Sequence, residues 1–241
     1  MTTLLVPCGG LGTRLGQSGK AKALTPIGRS TFLGVILDKI GDLFEEIVIV
    51  SSKVHEKDFL DFLKSRVDLP RSSVVVQESP LGSLNAVNTG SKDIKNDCIV
   101  VWGDQIGVSR YTIQLLLENR SLGKSLGVPR ILTNNPYVWL NLSDDSEHVL
   151  SIGRRRDGDA IERGWADLGV FYLSTEVLEN LRSIEKQLIE TLGAREIDLT
   201  YAIPLLSSQF NSNFPIRHDA SELIAVNSLE DLRIAEEHFS E

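Results

Sequence analysis

The sequence predicts an α/β fold with a mostly parallel, mixed central sheet. Three observations support this prediction. Short apolar runs at residues 4–6, 46–50, 74–76 and 98–102 have the length and composition of buried strands. Segments with helical periodicity separate these runs, and a glycine-rich loop follows the first of them. Strands that alternate with helices favour parallel pairing through right-handed crossovers.

Composition bounds the class of protein. The 241 residues, 41% hydrophobic and 24% charged, suffice for one core, so we expect a single domain over residues 1–241. No apolar run approaches bilayer length and no signal-peptide pattern precedes the first strand, which predicts a cytoplasmic protein. The net charge of −8 argues against nonspecific binding to nucleic acid or membranes. Cys8 and Cys98 form no metal-spaced cluster and are expected to be buried, reduced thiols.

The first strand leads into a loop that combines glycines with basic residues. Glycines let the backbone turn sharply and bring its N–H groups against a ligand, while threonine, arginine and lysine add donors and positive charge. This combination suits phosphate oxygens. The alternative is a plain turn with solvated basic residues. The residues concerned are Gly9, Gly10, Gly12, Thr13, Arg14 and Lys22.

The helices are predicted in order along the chain. Thr31 is the expected N-cap of a helix that ends near Gly41. A second helix covers residues 55–66 and is stopped by Pro70, a third begins at Leu84, and a fourth begins near Ser109. Together with the apolar runs they give the alternation β-α-β-α-β.

Ligands of parallel sheets bind outside the carboxyl ends of the strands, so the loops there are candidate sites. After the third strand, the Gln77 amide can donate and accept toward a base, and Gly82 allows close backbone approach. A polar turn capped by Ser83 is the alternative. The fourth strand ends in Gly103 and Asp104, and a carboxylate beside a phosphate loop suits Mg²⁺, although Asp104 could instead cap a helix.

Beyond residue 120 the alternation loosens. Strands are predicted at residues 125–133, 137–142 and 148–154, with another entered over residues 164–171. A helix is expected from residue 196 to about 210. Asp198 would lie in its first turn, where the helix dipole favours a negative charge. A short strand at residues 222–226 would precede the last helix, where Ser228 and Asp231 have capping-box spacing.

The run GGLGTRLG at residues 9–16, followed by Lys22, resembles the signature of the sugar-1-phosphate nucleotidyltransferases. These enzymes join an NTP and a sugar phosphate into an NDP-sugar and release pyrophosphate. The segments at residues 77–83, 103–104 and 226–232 are similar to their later motifs, whereas Ala21 stands where the family usually has proline before the lysine. The resemblance implies a Rossmann-like three-layer sandwich with the nucleotidyltransferase (GT-A-like) fold.

The resemblance also implies roles for individual residues. The nucleotide part would cover about residues 1–110 and 220–241, and an acceptor-binding lid about 125–215. The substrates would be an NTP and a small phosphorylated acceptor, with Mg²⁺ as cofactor. Assembly into a homodimer is left as an open alternative. The implied residues are Arg14 and Lys22 for catalysis; Gly9, Gly10, Gly12, Thr13, Gln77, Gly82, Ser83 and Gly103 for the nucleotide; Asp104 and Asn227 for the metal; and Gly153, Asp167 and Glu196 for the acceptor.

Several alternatives stay open at this point. Arg154, Arg155 and Arg156 fall where relatives often carry a Glu-Lys pair, so they either face an anionic acceptor or form a solvated loop. A dinucleotide-dependent oxidoreductase is disfavoured, because Ser51-Ser52-Lys53 after the second strand offers no acid for a ribose. A molybdopterin-like, isoprenoid or phosphocholine-like acceptor, or a nucleotide-binding regulatory protein without catalysis, remains an alternative. The sequence specifies neither the base nor the acceptor.

Overall fold

The computed structural model of the protein describes residues 2–10, 19–194 and 196–239, without the side chains of residues 156, 238 and 239. The strands are β1 (Thr2–Pro7), β2 (Pro26–Ile27), β3 (Ser30–Thr31), β4 (Glu46–Ser52), β5 (Arg71–Gln77), β6 (Asp97–Val101), β7 (Leu126–Gly127), β8 (Arg130–Asn134), β9 (Val138–Leu142), β10 (Val149–Arg154), β11 (Arg163–Asp167), β12 (Val170–Leu173), β13 (Ser212–Asn213) and β14 (Ile216–Arg217). The α-helices are α1 (Phe32–Ile40), α2 (Glu56–Ser65), α3 (Ser83–Gly90), α4 (Arg110–Leu117), α5 (Thr175–Leu192), α6 (Ile203–Gln209) and α7 (Leu229–Phe239).

Over the described residues, the central sheet has seven strands in the order β13-β7-β12-β6-β1-β4-β5. The four strands β6, β1, β4 and β5 are parallel neighbours. Strand β12 pairs with β6 in the antiparallel sense, so the sheet is mixed at one side. The predicted mostly parallel, mixed α/β sheet is therefore confirmed.

Helices cover both faces of this sheet because the side chains of each buried strand alternate between two cores. Leu4 and Val6 of β1 pack in a core that includes Phe32 of α1, whereas Leu5 packs on the opposite face with Leu84 of α3. All of these side chains are fully buried. Full burial of one such aliphatic side chain stabilises a fold by about 1.5–3 kcal/mol, so both faces of the sheet contribute to its stability.

A second sheet, with five strands in the part of the chain that the structure describes, has the order β10-β9-β11-β8-β14. It contains most of the strands predicted in the second half of the chain. The segment predicted as one strand at residues 125–133 is divided between the two sheets at Pro129, which cannot donate a ladder hydrogen bond. The segment around residue 168 likewise forms two strands, β11 in the second sheet and β12 in the central sheet.

The prediction of a strand at residues 222–226 is wrong. Residues Ala220–Leu223 form a 3-10 helix, because the Asp219 carboxylate caps the turn by accepting a hydrogen bond of 2.9 Å from the backbone N–H of Ser221. Glu222 is fully buried and accepts hydrogen bonds from Ser109 and Arg217. The sequence patterns above do not predict the long helix α5. The predicted N-cap Thr31 is confirmed, since its side chain accepts from the backbone N–H of Gly34.

Within the described ranges, none of the helices combines the length and the apolar character that crossing a membrane requires.

Candidate active site

A cavity of about 970 Å³ opens at the carboxyl ends of the parallel strands and is lined by residues of both sheets. The loops after β1, β5 and β6 contribute to its wall, as expected for a parallel sheet. The second sheet contributes residues of β8, β9 and β11. The predicted site residues that line the cavity are Gly9, Gly10, Lys22, Gln77, Gly82, Ser83, Gly103, Asp104, Asp167, Glu196 and Asn227.

Four predicted residues are not among those lining residues. Gly12, Thr13 and Arg14 lie outside the described part of the chain. Gly153 lies in β10 directly opposite Trp139 of β9, where a Cβ atom would come within 2.1 Å of the indole ring. Gly153 therefore serves sheet packing in this structure, and the structure does not bring it to the cavity.

Lys22, Asp104 and Asn227 meet at one point of the cavity. The Lys22 ammonium donates to Oδ2 of Asp104 and, over 2.8 Å, to Oδ1 of Asn227. The side chains of Lys22 and Asp104 are 18% and 19% exposed, so this ion pair is shielded without being sealed from solvent. An electrostatic contact at such a site is stronger than at an open surface.

Backbone contacts explain why these three residues converge. The Val226 N–H donates to the Asp104 carbonyl over 3.1 Å, which places Asn227 beside the end of β6. At the same end, the Gly103 N–H donates to the carbonyl of Pro7. A Cβ atom at Gly103 would lie 2.7 Å from the Cys8 sulfur, so glycine is required where β6 approaches β1. The predicted capping box is confirmed, because Asp231 accepts from the Ser228 N–H and the Ser228 hydroxyl accepts from the Asp231 N–H.

Both cysteines are free and buried, as predicted. Burial raises the pKa of the Cys8 thiol far above its ordinary value, and the negative charge of Asp104 adds to this shift. Burial likewise raises the pKa of Cys98. A thiol needs its ionised form to act as a nucleophile, so neither side chain is suited to that role.

The loop after β5 presents Gln77 to the cavity. The Gln77 amide nitrogen donates to the carbonyl of Gly82 over 3.1 Å and to Oδ1 of Asn85 over 3.0 Å. Gly82 has φ of +93°, and a Cβ atom there would lie 2.2 Å from the carbonyl oxygen of Ile197, so only glycine fits. The alternative in which Ser83 caps helix α3 is wrong, because the hydroxyl of Ser83 instead donates to Asp198 over 2.7 Å.

Carboxylates gather on the opposite side of the cavity. Asp167 accepts a hydrogen bond of 2.8 Å from the Gly169 N–H, and burial raises the pKa of Asp167 to about 6, with a further increase from the charge of Asp198. Glu196 is exposed at the cavity. Asp198, which the sequence predicts as a first-turn acid of a helix, also lines it.

Arg154 lies beneath this group of carboxylates. It is 1% exposed, and its guanidinium donates to Asp157 over 2.9 Å and to Asp198 over 3.1 Å. The same guanidinium stacks 3.6 Å from the centre of the Tyr201 ring. Arg154 neither lines the cavity nor meets solvent, so both alternatives considered for it are wrong. Arg155 is exposed, and the side chain of residue 156 lies outside the description.

Comparison with known proteins assigns the family. Residues 4–188 match the family model of the MobA-like NTP transferase domain, which is most of the chain. The chain belongs to the MobA-like NTP transferase family. It is a nucleotidyltransferase, and the resemblance to sugar-1-phosphate nucleotidyltransferases is confirmed. Members of the family generally use a divalent metal.

Curated relatives of this NTP transferase include two bifunctional GlmU proteins. The protein from Methanococcus maripaludis strain C7 is 26% identical over 195 residues, covering 79% of this chain and 45% of the relative. The protein from Zymomonas mobilis is 34% identical over 160 residues, covering 64% and 35%. The matched region therefore covers less than half the length of either relative.

Solved structures support the fold. A crystal structure assigned to a glucose-1-phosphate thymidylyltransferase from Bacillus anthracis superimposes with a TM-score of 0.78 at 18% identity, covering 99% of this chain and 95% of that one. HddC from Yersinia pseudotuberculosis gives a TM-score of 0.69 at 21% identity, covering 99% and 100%. The predicted Rossmann-like nucleotidyltransferase fold is confirmed.

Proposed function

We propose that this NTP transferase condenses an NTP with a sugar 1-phosphate, or a similar small phosphorylated acceptor, to give an NDP-linked product and pyrophosphate. The convergence of Lys22, Asp104 and Asn227 beside the glycines that follow β1 carries the proposal. These three polar side chains come from distant parts of the chain and serve one point of a cavity large enough for both substrates.

In the proposed reaction, an acceptor phosphate oxygen attacks the α-phosphorus of the NTP. A new P–O bond forms, and the bond from the α-phosphorus to the oxygen of pyrophosphate breaks. Phosphoryl-type transfers of this kind ask the protein for positioning and charge stabilisation more than for covalent chemistry. Lys22 would supply positive charge at this point, and Arg14, which lies outside the described residues, is proposed to act with it.

The oxygen atoms of Asp104 and Asn227 fit Mg²⁺. One carboxylate and one amide oxygen, completed by phosphate and water, form the oxygen-only set that Mg²⁺ prefers. The structure supports the fit because these two oxygens already share one cationic group, the Lys22 ammonium. No group of three or more metal-binding His, Cys, Asp or Glu side chains occurs among the described residues, and Mg²⁺ at a phosphate site does not require one. When bound, the ion would neutralise charge at the α-phosphate.

The nucleotide is proposed to bind to the nucleotide part of the domain, about residues 1–110 and 220–241. The acceptor is proposed to bind to the acceptor-binding lid, about residues 125–215. In the second part, Asp167, Glu196 and Asp198 offer carboxylate oxygens to the cavity. Such oxygens accept hydrogen bonds from hydroxyl groups. An acceptor with an anionic group besides its phosphate would meet like charge there. A phosphorylated sugar whose sugar part is uncharged is therefore favoured over one that carries a carboxylate.

Pyrophosphate release tests the proposal. The four common NTPs and dTTP are incubated with Mg²⁺ and a panel of sugar 1-phosphates, uronic acid 1-phosphates and phosphocholine. We expect release that depends on a neutral sugar 1-phosphate and is lost in Asp104→Ala. Asp144→Ala, at an exposed acid, is the matched control. Release with phosphocholine alone would indicate a non-sugar acceptor, and NTP binding without release on any acceptor would indicate a protein that has lost catalysis.

A further inference from the structure

A chain of hydrogen-bonded side chains leads from the cavity to helix α5. It consists of Gln77 at the end of β5, Asn85 in α3 and Glu185 in α5, and we refer to it as the Gln77–Asn85–Glu185 chain. Gln77 lines the cavity, whereas Asn85 and Glu185 are not among its lining residues. Glu185 is a hundred residues away from Asn85 in sequence, so only the packing of α5 against α3 brings them together.

The hydrogen bonds of the Gln77–Asn85–Glu185 chain are short. The amide nitrogen of Gln77 donates to Oδ1 of Asn85 over 3.0 Å, and the amide nitrogen of Asn85 donates to Oε1 of Glu185 over 2.9 Å. The other carboxylate oxygen of Glu185 accepts a hydrogen bond of 2.6 Å from the buried side chain of Asn88. Glu185 is therefore held from two sides.

The direction of every bond follows from the chemistry of the groups. An ionised carboxylate only accepts, so Asn85 must turn its NH₂ group toward Glu185 and its oxygen toward Gln77. Gln77 must then turn its NH₂ group toward Asn85. The carbonyl of Gly82, which also only accepts, receives the second N–H of the same group. A reversed Gln77 amide would place its oxygen against two acceptors.

Gln77 is consequently left with one group to offer a ligand, its carbonyl oxygen. This oxygen lies on the side of Gly9, where it would be 3.3 Å from a Cβ atom at that glycine. Gln77 itself is 9% exposed, so its amide has little room to rotate. The cavity is thus presented with a fixed hydrogen-bond acceptor.

We infer that Asn85 and Glu185 are positioning residues that fix the Gln77 carbonyl oxygen toward the nucleotide, so that the protein selects a base whose ring nitrogen carries hydrogen. The inference rests on the proposed function, in which the base lies beside Gln77. Uracil, thymine and guanine carry hydrogen on the ring nitrogen of the pairing edge. Cytosine and adenine carry a lone pair there, which a carbonyl oxygen repels. A site built around one such hydrogen bond discriminates strongly against a ligand that cannot make it.

The test measures NTP binding without acceptor. Isothermal titration with UTP, dTTP, GTP, CTP and ATP in the presence of Mg²⁺ is carried out on the wild type, on Asn85→Leu and on Glu185→Gln. We expect the wild type to bind UTP, dTTP or GTP at least about 100-fold more tightly than CTP and ATP. In Asn85→Leu this ratio should fall about tenfold or more, since the Gln77 amide would be held by Gly82 alone. Glu185→Gln, a milder change, should also lower this affinity ratio, by a smaller factor.

Further measurements separate positioning from a general loss of structure. Because Glu185 acts on Gln77 only through Asn85, the effects of the two substitutions on base selectivity should not add, and the double variant should have the selectivity of Asn85→Leu alone. Unfolding of each variant in denaturant shows separately how much stability is lost. Glu179→Gln, at an exposed glutamate of the same helix, is the matched control and should keep wild-type selectivity. A methyl group on the ring nitrogen of the preferred NTP should abolish its advantage over CTP and ATP in the wild type.

The outcomes distinguish this inference from the proposed function. Wild-type selectivity in both Asn85→Leu and Glu185→Gln would overturn the positioning role while pyrophosphate release continued. A wild-type preference for CTP or ATP would also overturn it. If the wild type bound none of the NTPs, the proposed function would fail and the inference would fail with it.

Discussion

Lys22 donates a hydrogen bond of 2.8 Å to the side-chain oxygen of Asn227, 205 residues further along the chain. The same ammonium contacts Asp104 at the end of β6. Two acceptors of one nitrogen lie within about 6 Å of each other, because each hydrogen bond is about 3 Å long. Two Mg²⁺ ligands are up to about 4 Å apart. A modest rearrangement would therefore let Asp104 and Asn227 hold one ion, as proposed, with Lys22 free to contact a phosphate.

Replacement of Lys22 by alanine should lower kcat/KM by a factor of about 10² or more. This is the usual effect of removing one preorganised donor that stabilises charge in a transition state. The measurement is steady-state pyrophosphate release with saturating Mg²⁺. Lys20→Ala, at an exposed lysine two residues earlier, is the matched control and should remain near wild type. The opposite pattern would transfer the role to Lys20.

Activity should vanish when a chelator removes divalent ions and return when Mg²⁺ is added. Asp104→Ala should lose most activity, since it removes the only carboxylate of the proposed pair of ligands. Asn227→Asp should retain much of it, because the oxygen ligand is kept. The dependence of the rate on Mg²⁺ concentration checks these expectations. An Asp104→Ala enzyme with the wild-type Mg²⁺ dependence would contradict the shared site.

Asp167→Ala and Glu196→Ala should raise the KM of the acceptor and leave NTP binding unchanged. Both carboxylates line the cavity, Asp167 from the second sheet and Glu196 from the segment before α6. A residue that binds only one substrate affects the parameters of that substrate. Acceptor KM from initial rates and NTP affinity from titration give the comparison. Equal losses for both substrates would indicate that the two side chains are structural.

The pH dependence of stability should change in Asp167→Asn. The pKa of Asp167 is raised by burial from 3.8 to about 6, so the folded state binds this proton more tightly than the unfolded state. The resulting stabilisation is present below pH 3.8 and is lost as the pH rises through about 6. Asparagine cannot ionise, so the variant should gain stability relative to the wild type above this range.

Denaturant unfolding at several pH values measures this effect. Asp144→Asn, at an exposed aspartate, serves as the control. A constant difference in the free energy of unfolding between Asp167→Asn and the wild type from pH 4 to pH 8 would show that Asp167 is not the group responsible.

Local signals explain which parts of the fold and site could be predicted. Thr31 precedes an apolar helical pattern, so a few neighbouring residues suffice to predict where the helix begins. The structure confirms Thr31 as the N-cap of α1. The meeting of Asp104 with the loop after β1 follows from a general property of parallel sheets, whose carboxyl ends share one edge. The motif predicts the place of Asn227, although the segment before it forms a 3-10 helix at Ala220–Leu223 followed by irregular backbone and no strand.

Contacts between distant segments explain what could not be predicted. Ser83 donates to Asp198 across 115 residues of chain, and Asn85 donates to Glu185 across 100. Neither residue pair has a signature of its own, since serine, asparagine and acidic residues are common in helix starts and on helix surfaces. Their roles depend on where α5 and the second sheet pack, which no short pattern in the sequence encodes.

Arg154→Met should lower the free energy of unfolding by about 2–4 kcal/mol, because breaking a buried ion pair by removing one partner is strongly destabilising. Here the buried guanidinium bridges Asp157 and Asp198 and stacks on Tyr201. Both carboxylates retain some contact with solvent, so the lower part of the range is expected. Arg155→Met, at the exposed neighbour, should change stability by less than about 0.5 kcal/mol. Denaturant unfolding of the two variants decides the matter: equal stabilities would mean that Arg154 does not hold the acceptor side of the cavity together.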